Sequence, residues 1–154
     1  KLSQNKPFIS PCTPKGIMKM LASIKCDLRG KDCVIIGASN IVGRPMAMEL
    51  LNAGATVQVC HKETKDITQK SKSADVIIAA AGVANLVKSD WVKEGAVIID
   101  VGINRLEDGT LAGDVDFDDV IDKVSAISPV PGGVGPMTIA VLLENTLTAY
   151  QARL

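Results

Sequence analysis

Short, unbroken apolar runs alternate along this chain with longer stretches in which apolar residues recur every three or four positions. Cys33-Val34-Ile35-Ile36, Thr56 to Cys60, Val76-Ile77-Ile78-Ala79, Val97-Ile98-Ile99-Asp100 and the brief Ser125-Ala126-Ile127 read as strands. Strands covered by helices on both faces carry such near-continuous apolar runs. Ile17, Met20, Leu21 and Ile24 repeat at helical spacing, as do Met46, Leu50 and Leu51 within 43–53. Ile139, Leu142, Leu143, Leu147 and Tyr150 form one stripe of a last helix over 136–153. A polar helix is read over Thr64 to Lys72. Thr13 and Pro14 predict a capped start for the first helix and Gly30 its stop. Asp116 with Asp119 predicts a second capped start before Val120 and Ile121. The alternation predicts a Rossmann-type α/β fold, a doubly wound parallel sheet with helices on both faces and right-handed crossovers.

Asp108-Gly109 interrupts that alternation as a two-residue hairpin signal, with Asn104 to Glu107 and Thr110 to Gly113 as its arms. Such an arm covers a sheet edge, reaches a partner subunit, or is a plain surface loop.

Composition narrows the class. The 154 residues amount to one domain, and with 47% hydrophobic but only 3% aromatic residues the core has to be aliphatic. Lys1 to Pro11 reads as a linker ahead of a domain over 12–154. Seventeen basic and seventeen acidic residues are spread evenly, which argues against a nucleic-acid footprint. No apolar run reaches membrane-spanning length, and the N-terminus carries no signal-peptide pattern. The four cysteines form no C-x-x-C pair and His61 is the only histidine, so a zinc site is not expected. Cys33 and Cys60 read as small buried hydrophobes in a reduced, cytoplasmic setting.

The chemistry centres on Gly37-Ala38-Ser39-Asn40-Ile41-Val42-Gly43-Arg44-Pro45, between an apolar strand and a helix. Glycines allow a tight bend there, and the free N–H groups of a helix start meet a pyrophosphate. The pattern departs from G-x-G-x-x-G: Ser39 stands at the middle glycine, where its hydroxyl is placed to donate to a phosphate oxygen, and the last glycine comes one residue late. At the end of the second strand an acid would bind the ribose 2′-hydroxyl of NAD. Here Cys60 is followed by His61 and Lys62, with Arg44 within reach, a set that suits a 2′-phosphate and hence NADP. Glu63, near the place of a ribose-binding acid, and a plain surface role for His61 and Lys62 stay open. Ala79-Ala80-Ala81-Gly82 and Asp100-Val101-Gly102-Ile103-Asn104 end the third and fourth strands in mostly small residues, where a flat ring can pass close to the backbone. The run Pro129-Val130-Pro131-Gly132-Gly133-Val134-Gly135-Pro136-Met137-Thr138 alternates fixed and free backbone and predicts a stiff wall beside a nicotinamide.

On Pro11-Cys12-Thr13-Pro14, the Gly37–Pro45 turn, Asp100–Asn104 and the Pro129–Thr138 string, the chain resembles the NADP-binding half of the bacterial methylenetetrahydrofolate dehydrogenase/cyclohydrolase family. The resemblance runs through essentially the whole chain and implies NADP as cofactor. It implies two reactions, oxidation of 5,10-methylenetetrahydrofolate and hydrolysis of the methenyl product to 10-formyltetrahydrofolate. It places Gly37, Ala38 and Ser39 at the pyrophosphate, Arg44 and His61 at the adenine-ribose end, Ile103 beside the nicotinamide and Thr138 at its carboxamide. Ile41, Lys62 and Gly82 complete the expected cofactor set. It further implies a homodimer joined through this domain, with the Asp108-Gly109 hairpin as an arm, and tetrahydrofolate derivatives held against an N-terminal catalytic domain. The family's Y-x-x-x-K motif does not occur here, since Tyr150 is the only tyrosine. Cofactor binding with little turnover is therefore expected, and no residue of this chain is assigned as catalytic. A dinucleotide-sensing module without catalysis, and another Rossmann enzyme such as a shikimate-type dehydrogenase or a methyltransferase, are the competing readings.

Overall fold

The computed structural model describes residues 2–4 and 8–152, so parts of the expected linker (residues 1 and 5–7) and of the last helix's end (Arg153) lie outside the described residues. After a short 3₁₀ turn at Leu2–Gln4, the elements run α1 (Cys12–Ser23), β1 (Asp32–Ile36), α2 (Gly43–Asn52), β2 (Thr56–Cys60), α3 (Ile67–Ser71), β3 (Val76–Ala79), β4 (Val97–Asp100), β5 (Asn104–Arg105), β6 (Leu111–Ala112), α4 (Phe117–Val120), β7 (Ala126–Ile127) and α5 (Val134–Gln151). Five strands form one parallel sheet in the order β2-β1-β3-β4-β7, as an α/β doubly wound fold requires. The chain turns outward from β1 to β2 on one side and to β3 on the other, so the topological switch lies between the ends of β1 and β3.

The pleat divides the core in two. Cys33 and Ile35 of β1 face a cluster with Ile17 and Leu21 of α1 and Met46 and Leu50 of α2. Val34 and Ile36 face the opposite cluster, with Ile77, Val87, Ile98, Val115 and Val120. Each fully buried aliphatic side chain contributes about 1.5–3 kcal/mol relative to exposure, which is how a core almost without aromatic residues suffices. The helices α1 and α5 run against each other: Gly16 lets Met137 approach, and Lys15 and Lys19 both reach Glu144, at 3.3 and 3.1 Å. Asn145, buried in α5, accepts from Lys15 Nζ and donates to the Ser10 carbonyl, tying the entering segment to the last helix.

Several boundaries differ from expectation, each for a local reason. In α1 the residue before the first helical position is Pro11, no side chain caps the start, and Thr13 instead meets Thr138 Oγ1 at 3.0 Å. The helix stops at Ser23, before Lys25 at φ 57, so Gly30 shapes the turn into β1 and does not end α1. Asp116 forms no side-chain cap for α4, a single turn, and Asp119 accepts from the Ser89 amide. The polar helix shrinks to Ile67–Ser71. Leu51 is exposed, as are all five members of the α5 stripe, which is therefore an open apolar face. The hairpin exists, but Leu106 and Thr110 close a three-residue loop in which Gly109 holds φ 83, the alternative short geometry for such turns. No described helix is long and apolar enough to cross a membrane.

Candidate functional site

All strands of the main sheet share one direction, so their carboxyl ends lie along one edge. Ligands of open α/β sheets bind outside that edge at the switch point. The hydrogen-bond ladder continues past the strand ends there: Gly37 N donates to Cys60 O, Ala80 N to Ile36 O and Val101 N to Ala79 O, each at 2.8 Å. The exits of β2, β1, β3 and β4 are therefore locked side by side.

Gly37 takes φ 121, and a Cβ there would run into the Ala80 carbonyl. Gly43 packs against the Gly37 carbonyl, again leaving no room for a side chain, so the start of α2 lies directly on the β1 exit. The Ser39 hydroxyl accepts from the Val42 and Gly43 amides at 3.2 and 3.4 Å. It thus holds the turn from within while its own proton is free to point outward. Among the described residues, the amides of Ala38, Ser39, Asn40 and Ile41 meet no protein acceptor. Free amides before a ten-residue helix form an anion-binding concavity, and this donor set fits a pyrophosphate.

Beside the turn lies a cavity of about 410 Å³, walled by Gly37, Ala38 and Ser39, by Cys60, His61 and Lys62, and by Ala80, Ala81 and Val83. His61 is exposed, and its Nδ1 accepts from the Glu63 amide at 3.3 Å. Lys62 stands 3.9 Å from Glu63 on the surface, and Glu63 does not line the cavity. Arg44 donates from Nε to the Ala38 carbonyl at 3.3 Å and has no carboxylate partner among the described residues. Burial pushes the Cys60 thiol above its ordinary range, which makes it a packing residue at the cavity's base.

A second hollow of about 90 Å³ is lined by Asp100 to Ile103, Leu111 and Pro129 to Pro136. The proline-glycine string thus packs beside Ile103 as the sequence predicts. Its second half is not loop, because α5 begins at Val134, two residues earlier than expected. Ile103 is 63% exposed and Ile41 77%, so both present open apolar surface beside the crevice. Thr138 lines neither hollow; its hydroxyl donates to the Val134 carbonyl at 3.0 Å and accepts from Thr13. Gly82 lines neither hollow, and its amide donates to Asp114.

Asp114, and the role of Asp100 beyond its place at the head of the Asp100–Asn104 segment, are what sequence reasoning missed. Both residues are buried. Asp114 accepts from the amides of Ala81, Gly82 and Val83 and from Asn104 Nδ2. Asp100 accepts from the amides of Gly102, Asp114 and Val115. Burial raises the Asp100 carboxyl above the usual carboxylate range, against the pull of those three amides.

The model of the tetrahydrofolate dehydrogenase/cyclohydrolase NAD(P)-binding domain matches residues 11–154. The bifunctional protein FolD of Vesicomyosocius okutanii is 62% identical over 154 residues, all of this chain and 56% of the relative. The crystal structure of the Campylobacter jejuni FolD enzyme superposes with a TM-score of 0.93 at 64% identity, over 94% of this chain and 51% of that one. The Trypanosoma brucei FolD, crystallised with NADP cofactor and an inhibitor, gives a TM-score of 0.92 at 39% identity, over 98% of this chain and 54% of that one. The chain spans about half the length of the curated relatives it matches.

Proposed function

The chain belongs to the tetrahydrofolate dehydrogenase/cyclohydrolase family, of which it is an NAD(P)-binding domain, and from that premise we propose that it holds NADP for the oxidation of 5,10-methylenetetrahydrofolate. In this reading residues 1–11 connect to the other half of the enzyme and 12–154 form the cofactor domain. NADP⁺, when bound, would supply the hydride acceptor for oxidation of the methylene carbon to 5,10-methenyltetrahydrofolate, whose hydrolysis would give 10-formyltetrahydrofolate.

The observation that carries the proposal is the Gly37 turn, with four free amides beside a cavity whose rim carries His61 and Lys62. Ala38, Ser39 and Ile41 offer backbone amides to the pyrophosphate. Arg44, His61 and Lys62 supply the positive end for a 2′-phosphate, Arg44 by a planar fork suited to phosphate oxygens. Gly82 adds no side chain between Ala81 and Val83, which wall the larger cavity. Ile103 gives the ring an apolar face to lie on. Thr138 sits one helical turn beyond Val134 and steadies the first turn of α5 beside the nicotinamide position.

Hydride transfer asks little of a protein beyond positioning and exclusion of water. The hydrolytic step needs an acid or base, which this reading assigns to the remaining half of the longer enzyme. The open stripe of Ile139, Leu142, Leu143, Leu147 and Tyr150 supports a large partner surface, and we assign it to that half. The Asp108-Gly109 hairpin is assigned as the arm of a homodimer.

Calorimetric titration with NADP⁺ and with NAD⁺ tests the reading. Preference for NADP⁺, reduced by Arg44→Ala, is the expected result. Preference for NAD⁺ would move the ribose contact to Glu63, and binding of neither would remove the cofactor assignment.

A further inference from the structure

We propose that Asp114, backed by Asp100, is a positioning residue that fixes the two hollows of the dinucleotide crevice in register. The inference rests on the cofactor reading above. One Asp114 oxygen, Oδ2, accepts from Ala81 N at 2.6 Å and Gly82 N at 2.8 Å. The other, Oδ1, accepts from Val83 N at 3.0 Å and Asn104 Nδ2 at 2.9 Å. Ala81 and Val83 wall the larger cavity, while Asn104 follows Ile103 of the smaller one. A single carboxylate therefore spans both.

Asp100 repeats the pattern one layer below. Its Oδ1 accepts from Gly102 N and Asp114 N, both at 2.9 Å, and its Oδ2 from Val115 N at 3.0 Å. The Asp100 carboxylate thus fixes the backbone that presents Asp114, as well as the exit of β4. Among the described residues neither carboxylate has a lysine or arginine within ion-pair distance. Oriented amides alone answer their buried charge, which makes direction rather than net charge the requirement. There is no slack around them. A Cβ at Gly102 would collide with Asp114 Oδ1, and one at Gly113 with Asp100 Oδ2. Asparagine keeps the shape of Asp114 but replaces one acceptor with a donor, so one of the two donor pairs must lose its partner.

The test uses the 154-residue chain and two probes, NADP⁺ and adenosine 2′,5′-bisphosphate, which reports on the larger cavity alone. Asp114→Asn is expected to weaken both about tenfold. Asn104→Ala removes the strap toward the smaller hollow, together with a longer bond to the Ala112 carbonyl at 3.4 Å within the hairpin, and leaves the three amides of the larger cavity on Asp114, so it is expected to weaken NADP⁺ several-fold and leave the bisphosphate unchanged. Leu21→Val, a core change on α1, controls for stability: it is expected to lower the melting temperature without altering either affinity. Wild-type chain that binds neither probe removes the cofactor reading and the clamp with it. Wild-type chain that binds both, while the Asp114 and Asn104 variants bind them equally well, overturns the clamp alone. So does an affinity loss in Leu21→Val that matches the loss in Asp114→Asn. If Asp114→Asn does not fold, the split between the probes in Asn104→Ala decides.

Discussion

At the amino edge of the sheet, Asp75 stands just before β3, partly open to solvent, with Lys93 Nζ 2.6 Å from one carboxylate oxygen and the Asp32 amide 3.0 Å from the other. At the carboxyl edge, Asp100 and Asp114 are buried and answered by amides alone. The difference follows from what each edge must do. The amino edge joins strand starts and can use a screened ion pair. The carboxyl edge must hold loops open toward a ligand, and a buried carboxylate gathers several loop amides at once without placing a cation in the crevice. Size does not separate the edges: the amino-edge groove, about 580 Å³ and lined by Lys25, Lys31, Lys93, Asp27, Asp75 and Glu94, is larger than the cavity beside Gly37. Topology and free amides do.

The largest effect expected from breaking this contrast is at the carboxyl edge itself. Gly37→Ala forces a side chain at φ 121 into the Ala80 carbonyl. Strain and overpacking together cost roughly 3 kcal/mol, and NADP⁺ binding is expected to vanish. A denaturation midpoint and a titration on the folded fraction check it; a variant of wild-type stability and affinity would remove the close-approach argument. Next is Asp100→Asn, which leaves at least one buried amide unpartnered, a loss of about 1–3 kcal/mol by chemical denaturation.

Asp75→Asn is expected to cost at most about 1 kcal/mol at neutral pH, since its pair with Lys93 lies near the surface. The two edges also differ in the sign of their pH dependence. The hydrogen bond from Lys93 holds the Asp75 carboxyl below its ordinary 3.8. Its contribution is present above that value and is lost as pH falls through the lower folded one. Burial raises Asp100 above 3.8. Its contribution is fully present below 3.8 and is lost as pH rises through the raised folded value. Melting curves from pH 2 to 6 should therefore lose part of their acid-side slope in Asp75→Asn and change in the opposite sense in Asp100→Asn.

The smallest effect concerns the thiols at the two edges. Cys33 opens the buried part of β1 near the amino edge, where burial pushes it up to about 12, and Cys60 closes β2 at the other, also raised by burial. Both are expected to resist iodoacetamide at pH 8 until the chain unfolds. Labelling of either in the folded chain would show that its edge opens without global unfolding.

What the sequence made legible follows the same division. The runs Val76–Ala79 and Val97–Asp100 become strands over those same residues, because a covered strand needs unbroken apolar sequence, and Thr56–Cys60 becomes the edge strand, with Thr56 and Gln58 exposed. The Gly37 turn was readable from strand, glycine and helix in succession. The start of α2 at Gly43 was readable with it, but those of α1 and α4 were not, since Thr13 and Asp119 have hydroxyl or carboxylate oxygens that distant partners claim. Asp114 was invisible for a related reason. Its donors Ala81 to Val83 lie more than thirty residues earlier, and the flanking Gly102 and Gly113 look like ordinary turn residues until the carboxylates they admit are seen.

The amides of Ala81, Gly82 and Val83 also bear on how this domain breathes. Loop amides ordinarily trade their hydrogens for solvent deuterium early, because small local openings free them. These three are tied to a carboxylate beneath the surface, although Gly82 and Val83 themselves lie exposed. Releasing them means lifting a loop off a buried charge. In deuterium exchange this stretch should keep pace with the interior of β3 and not with neighbouring turns, so that a segment without regular secondary structure is among the last to open.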